Sequence, residues 1–384
     1  MTPVQILSGK QVVLGVTGSI AAVECVRLVH ALRRKGAEVQ VVMSNAAAGI
    51  VTPDALAYAS GRPVITRITG LVEHVTYCGD GGSAALLLIA PCTANTISKI
   101  ACGIDDTPVT TFATTAIGSG MPVLVVPAMH HSMFRHPGLT DNIERLENWG
   151  ICVLPPRIEE GKAKIADIDE IVLASERAVS EKPLAGKRVL ITSGPCREPV
   201  DDVRILTTRS SGMMGKSLAL QAFRLGAEVT IVHGDTVPCI TNIHASTADE
   251  MRDAVMSELT AWGGTDIYIS AAAISDFAPV PAEGKIRSGK PAKIALNPLP
   301  KLLDTVLEGY APFTVAFKIE RNPLAPAKAL LKKGVSLVLM NQPETMGSAT
   351  GDYQLLSHKG SRRISGTKDE IAAEVWEQIL SEIR

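Results

Sequence analysis

Two stretches of the 384-residue chain share one layout. The first, from Gln11, reads QVVLGVTGSIAAVECVRLVHALRRKGAEVQVVMS. The second, from Arg188, reads RVLITSGPCREPVDDVRILTTRSSGMMGKSLALQAFRLGAEVTIVHG. In each, an apolar run meets a glycine-containing loop, an amphipathic helix follows, and Gly-Ala-Glu-Val leads into a second apolar run. Strand, crossover helix and strand in that order make a βαβ unit, which requires a parallel sheet and a right-handed crossover. Between the two stretches, SEKPLAGKR (180–188) breaks the periodicity with charge, Pro and Gly. The pattern predicts an α/β chain of two tandem Rossmann-like three-layer domains with mainly parallel sheets, spanning 1–180 and 186–384.

Further apolar runs extend both halves: AALLLIAP (84–91) and MPVLVVPAM (121–129), then TDIYISAAAISDF (265–277), FTVAFKIE (313–320) and VSLVLMN (335–341). Each stops at polar residues, and in open α/β sheets the ligand crevice lies beyond the carboxyl ends of the strands. Aromatics are only 4% against 46% apolar residues overall, as buried parallel sheets packed with Ala, Val, Ile and Leu require. Charge is balanced, 38 Lys and Arg against 39 Asp and Glu, so nothing in it calls for a nucleic-acid partner. The longest span free of charged residues, 107–134, is broken by prolines and glycines and does not make a membrane helix. No leader peptide is visible, and seven scattered cysteines without a CxxC pair fit reduced thiols, so a soluble cytoplasmic protein is expected.

Gly15, Gly18 and Ser19 form a turn at a helix start, where backbone N–H groups and the helix dipole attract phosphate. The spacing is not GxGxxG, so a single phosphate is the simpler ligand; a tight turn without any ligand accounts for it too. In the second half, TSGPCREPVDDVR (192–204) and ILTTRSSGMMGKSLA (205–219) place glycines and hydroxyls before a helix. The wider loop suits a longer phosphate chain. Asp276 ends an apolar run and can hold a divalent cation on phosphates. Lys285 either neutralises a triphosphate or is an ordinary surface lysine.

With VTGSIAA, SNAA (44–47), APCTANTISKIACGIDD (90–106) and PAMHHSMFRHP (127–137) in view, residues 8–178 resemble the flavin-containing cysteine decarboxylases. More narrowly, they resemble the phosphopantothenoylcysteine decarboxylase half of the bifunctional coenzyme A biosynthesis enzymes. The resemblance implies a flavodoxin-like domain with FMN held at its phosphate by Gly18, Ser19 and Ser44. Thr93, Ala94, Asn95 and Thr96 would lie near ring and ribitol. It also makes His74 catalytic, although a lone histidine at a strand edge reads by itself as a structural residue. His130 stands where the bacterial pattern carries a carboxylate-binding Asn. The flap PPRIEEGKAKIAD (155–167) lacks the bacterial proton-donating cysteine, which leaves Cys152 or Lys162 as donors, although Lys162 and Lys164, each taken singly, read as a solvated charge run.

Residues 186–380 resemble phosphopantothenate–cysteine ligase through Gly194, EPVDDVR, SSGMMG, SDF and GKI. The resemblance implies phosphate contacts from Gly194, Ser210, Ser211 and Gly212, base reading by the backbone of Ser275 and Phe277, Mg2+ on Asp276, and Lys285 on the triphosphate of CTP or ATP. Thr208 occupies the slot of an Asn tied to the second half-reaction. NQPETMGSATGD (341–352) reads as a flap over the site. The implied substrates are 4′-phosphopantothenate and cysteine. The implied assembly is a homo-oligomer, with a dodecamer combining the trimeric decarboxylase and dimeric ligase patterns. Two other readings stand beside this one: a non-catalytic FMN-binding regulatory flavoprotein, and a tandem NAD-dependent dehydrogenase, which lacks the GxGxxG loop it needs.

Overall fold

The computed structural model describes residues 6–289 and 291–383. They fall into two compact units, and the chain passes from one to the other between Ser180 and Glu181.

The first unit is built on five parallel strands in the order Glu38–Met43, Gln11–Val16, Ala84–Cys92, Val123–Pro127 and Cys152–Val153. Successive residues of each strand point to opposite faces. Val12, Leu14, Leu86 and Leu88 pack with the helices Cys25–Arg34 and Ile168–Ala178. Val13, Leu87 and Ile89 pack with Ile97, Phe112 and Leu146, from three helices on the other face. A strand covered on both faces has no polar side, which is why these runs show no alternation in sequence.

The second unit orders its main strands Thr241–His244, Glu228–His233, Arg188–Thr192, Ile267–Ser270, Phe313–Ile319, Leu337–Asn341, Thr350–Ser357 and Gly360–Thr367. The first six are parallel, and an antiparallel hairpin completes the edge. Val189, Ile191 and Ile269 pack with the helices Met213–Arg224 and Lys368–Ile383, while Leu190, Val232 and Tyr268 pack with Ala248–Ala261 and Leu302–Gly309. In both units the chain winds first to one side of its opening strand and later to the other. The crevices between Gln11–Val16 and Ala84–Cys92, and between Arg188–Thr192 and Ile267–Ser270, are the topological switch points where ligands enter such sheets.

Two expectations change. The run 265–277 is not one strand: it leaves the sheet after Ser270, and Phe277–Pro279 pairs antiparallel with Leu296–Pro298. The departing segment follows the glycine loop instead, with Ala273 N–H donating to Gly194 O at 2.9 Å. The segment 341–352 is a connection rather than a flap throughout: Asn341 ends one strand, Pro343–Thr345 makes a 3-10 turn, and Thr350 opens the next strand.

Trp376 is fully buried and its indole N–H donates to Leu218 O at 2.9 Å. Trp376→Ala is expected to destabilise the second unit by about 3–5 kcal/mol, seen as an earlier denaturant transition for that unit alone.

Candidate functional sites in the two units

At the first switch point one threonine joins two loops. The Thr17 hydroxyl donates to Pro91 O at 2.8 Å and accepts from Thr93 N–H at 3.0 Å. Around it, Ser19, Ser44 and Thr93 cap three helix starts, accepting from Ala21 N–H at 3.4 Å, Ala47 N–H at 3.3 Å and Thr96 N–H at 3.3 Å. Each start leaves other N–H groups without an intrahelical partner. The loops 17–19, 44–46 and 93–96 carry no carboxylate, so nothing there opposes an anion. A Cβ on Gly18 would stand 2.5 Å from the Ala46 Cβ; glycine alone lets these loops close on one another. The structure therefore brings Gly18, Ser19, Ser44, Thr93, Ala94, Asn95 and Thr96 to one rim, which fits the phosphate and polyol of a flavin mononucleotide.

His74 is not at a strand edge but in the first turn of the helix Glu73–Cys78. That helix starts from Val72 at φ +47°, a left-handed conformation unusual for a β-branched residue. Glu73 closes the turn by accepting from Thr69 N–H at 3.0 Å and from the Thr69 hydroxyl at 2.5 Å. The Thr69 hydroxyl and amide hold the Glu73 carboxyl below its usual range. The His74 ring meets buried Phe112 edge-on at 6.4 Å. Its Nδ1 is buried without a hydrogen-bond partner among the described residues. A buried polar atom left unpaired is costly, and a bound ligand is one way to satisfy it.

His130 lies in the short strand Met129–His130, which the flap hairpin joins through Lys162–Lys164 and Arg157–Glu159. The register sets His130 directly opposite Lys162, and residues so paired have neighbouring side chains. Lys164 is taken up by Glu159 at 3.1 Å and Glu160 at 3.0 Å, and these bonds raise its pKa. Lys162 has no ion pair among the described residues. Cys152 pairs with Leu124, three residues before the strand end at Pro127, roughly 10 Å below the rim.

The second unit holds a cavity of about 260 Å³ at the carboxyl ends of its central strands. Ser193, Gly194, Ser211 and Gly212 form one wall. Gly212, at φ +71°, precedes the helix Met213–Arg224 and accepts a hydrogen bond from the Ser193 hydroxyl at 3.1 Å. A Cβ there would lie 3.3 Å from the Gly194 Cα. Ser210 accepts from Gly212 N–H at 3.4 Å, and the Thr208 hydroxyl oxygen is buried without a hydrogen-bond partner among the described residues.

The opposite wall, absent from the sequence reading, includes His233, Asp235, Thr236 and Ser246, with Arg197 and Lys216 also lining the cavity. Asn242 donates to Val237 O and Ile240 O, so its Oδ1 must accept from His233 Nε2–H at 2.8 Å. Burial pushes the His233 imidazole below its ordinary pKa despite that bond. The signal that would have found this wall was available: His-Gly-Asp follows directly on the end of the second strand.

Ser275, Asp276, Phe277 and Lys285 do not line that cavity. Ser275 and Phe277 are tied to each other, the Ser275 hydroxyl donating to Phe277 O and accepting from Phe277 N–H. The Phe277 amide is thus already engaged. Asp276 is exposed, and among the described residues no three His, Cys, Asp or Glu side chains converge on a metal site. Magnesium held chiefly by phosphates needs only one or two carboxylates, so Asp276 alone fits that kind of site.

Lys285 is also exposed, on a loop that buried Asp201 pins. The Asp201 carboxylate accepts from Val203 N–H at 2.9 Å, Arg204 N–H at 2.7 Å and Ile286 N–H at 3.0 Å, and pairs with the Arg204 guanidinium. Burial alone would push the carboxyl up. The donors from Ile286, Val203 and Arg204 prevail and hold it at about 2, below its ordinary 3.8. A depressed carboxyl stabilises the fold above its unfolded pKa and loses that contribution as pH falls toward the folded value. The 280–287 loop is therefore expected to become protease-sensitive between about pH 4 and pH 2 in the parent chain. In Asp201→Asn it is expected to be sensitive already at neutral pH, as limited proteolysis by an acid-stable and a neutral protease will show.

Family models match both units: "Flavoprotein" over residues 3–180, and "DNA/pantothenate metabolism flavoprotein C-terminal domain" over 184–383. The chain is 44% identical to the coenzyme A biosynthesis bifunctional protein CoaBC of Thermococcus kodakarensis, over 97% of this chain and 95% of that protein. It is 34% identical to the CoaBC protein of Methanocaldococcus jannaschii, over 98% and 95% of the two chains. Identity to that of Vibrio vulnificus is 33%, over 98% of each. With two crevices of matching kind and similarity along nearly its whole length, the chain belongs to the CoaBC family of bifunctional coenzyme A biosynthesis proteins, a flavoprotein half followed by a pantothenate-metabolism half.

Proposed function

We propose that the chain catalyses two consecutive steps. The second unit joins cysteine to 4′-phosphopantothenate through an acyl-nucleotide, and the first decarboxylates the resulting phosphopantothenoylcysteine to 4′-phosphopantetheine. The observation that carries this reading is the pairing of two glycine-bounded crevices in one chain. One is a carboxylate-free rim beside an unpartnered buried histidine nitrogen; the other is a cavity opening on a wider hydroxyl-rich loop.

In the first unit, Gly18, Ser19 and Ser44 hold the phosphate of FMN, with 93–96 against ribitol and ring. Bound there, FMN supplies reversible hydride exchange with the substrate's thiol-bearing carbon, which gives the carboxyl electrons a sink. His74 holds the thiol proton through its ring. His130 and Lys162, neighbours across the flap ladder, face the substrate carboxylate with hydrogen-bond donors. After carbon dioxide leaves, Lys162 hands a proton to the carbon that lost it, the task left open by a flap without cysteine.

In the second unit, the loop around Gly194, Ser210, Ser211 and Gly212 binds the phosphates of CTP or ATP, with Mg2+ on Asp276. Ser275 and Phe277 face the base once their mutual turn opens. Lys285 neutralises charge on the triphosphate as the carboxylate of 4′-phosphopantothenate attacks and pyrophosphate leaves. Thr208 orients the acyl-nucleotide for attack by the cysteine amine. The buried thiols of Cys25 and Cys78, raised to about 12 by burial, belong to packing rather than chemistry.

A cytoplasmic homo-oligomer completes the reading, and a dodecamer is the assembly it specifies. Exposed Leu71, Val72 and Val75 lie around His74, and Val203, Ile205 and Leu296 are exposed in the second unit; these apolar side chains support subunit contacts.

His74→Asn is expected to stop carbon dioxide release and leave pyrophosphate release within about twofold of the parent. Parallel assays of the two products decide it, and joint loss would speak against this division of labour. Gly18→Ala, which drives a methyl into Ala46, is expected to give protein that purifies colourless while the parent is yellow, with pyrophosphate release retained. Absorbance near the flavin bands gives the readout.

A further inference from the structure

The cavity of the second unit has more wall than a glycine loop requires. Ser193, Gly194, Ser211 and Gly212 account for one side. The rest of the lining carries two cations, Arg197 and Lys216, against one carboxylate, Asp235. Lys216 stands in the first turns of Met213–Arg224, its amide donating to Gly212 O at 3.0 Å. Arg197 opens the short strand Arg197–Pro199, its amide donating to Ser246 O at 2.7 Å. Both line the same cavity, and neither has an ion pair among the described residues. One carboxylate against two cations leaves the lining's formal side-chain charge positive, which favours an anion there. His233 is 4% exposed, and Asn242 fixes its ring as part of the wall behind them.

We propose that Arg197 and Lys216 form a subsite for a phosphoryl group that does not itself react, held beyond the glycine loop. This rests on the ligase reading. The lateral order of strands supports it. The loop 275–277 follows the strand on one side of Arg188–Thr192, whereas His233 ends the strand on the other side. A nucleotide with its base toward 275–277 and its phosphates across Gly194 and Gly212 directs its terminal phosphates toward Arg197 and Lys216. The 4′-phosphate of the acyl substrate offers the same chemistry. The guanidinium supplies paired donors and the ammonium a point charge, a combination suited to a phosphate dianion.

The test uses the full chain and the variants Lys216→Ala, Lys216→Arg and Arg197→Ala. Inorganic pyrophosphate is titrated calorimetrically, and kcat/KM is compared for 4′-phosphopantothenate and unphosphorylated pantothenate. The expected result is a loss of pyrophosphate affinity of about tenfold or more in each alanine variant, with recovery in Lys216→Arg. If pyrophosphate binding is unchanged but the preference for phosphorylated over unphosphorylated substrate collapses, the subsite stands and its occupant is the substrate's phosphate. Unchanged affinity and unchanged preference together overturn the proposal. Binding is read without turnover, so a parent chain that releases no pyrophosphate from nucleotide, magnesium and substrates counts against the ligase reading and not against the subsite.

Discussion

The constraint on which the structure depends is burial of both faces of a parallel sheet. Val12 and Val13, adjacent in sequence, serve two different helical layers, and Leu190 and Ile191 do the same in the second unit. With both faces sealed, polar chemistry is confined to the strand ends. The winding direction reverses at one place in each sheet, and there the loops separate enough to admit a ligand. The two sites of this CoaBC family member are therefore consequences of one arrangement used twice.

The two uses diverge through their loops. In the first unit Thr17 draws two loops together and Gly18 lets a third approach, leaving a compact rim. In the second, the chain between strand and helix is long enough to form its own hairpin, Arg197–Pro199 with Ile205–Thr207, before reaching Gly212. Asp201 then uses that hairpin to anchor the loop bearing Lys285. The EPVDDVR motif thus holds a distant lysine loop in place through a buried carboxylate.

Two of the buried polar atoms without partners among the described residues lie beside the crevices. They are His74 Nδ1 and the Thr208 hydroxyl oxygen, in segments that the family resemblance marked for catalysis. A bound ligand is one way to complete a buried unpaired atom at a crevice. The contrast between Lys162 and Lys164 follows the same logic. Two glutamates occupy Lys164, while Lys162, two positions away, has no ion pair among the described residues.

Period and punctuation in the chain were enough to determine the α/β class, the division near 180 and the glycine-bearing strand ends, because these depend on neighbours a few positions apart. They also marked the Gly15–Ser19 turn and the glycine-bearing loops within 192–219 for the same reason, while Ser44, Gly194 and Gly212 were named by the family resemblance. The tertiary structure alone decided that His74 rides on a helix, that the run after Ser270 follows the phosphate loop, and that Cys152 lies below the rim. It alone paired His130 with Lys162, and it brought Arg197, Lys216 and His233 to one cavity. These outcomes depend on register and strand order, which set which distant residues become neighbours and leave no local mark in the sequence.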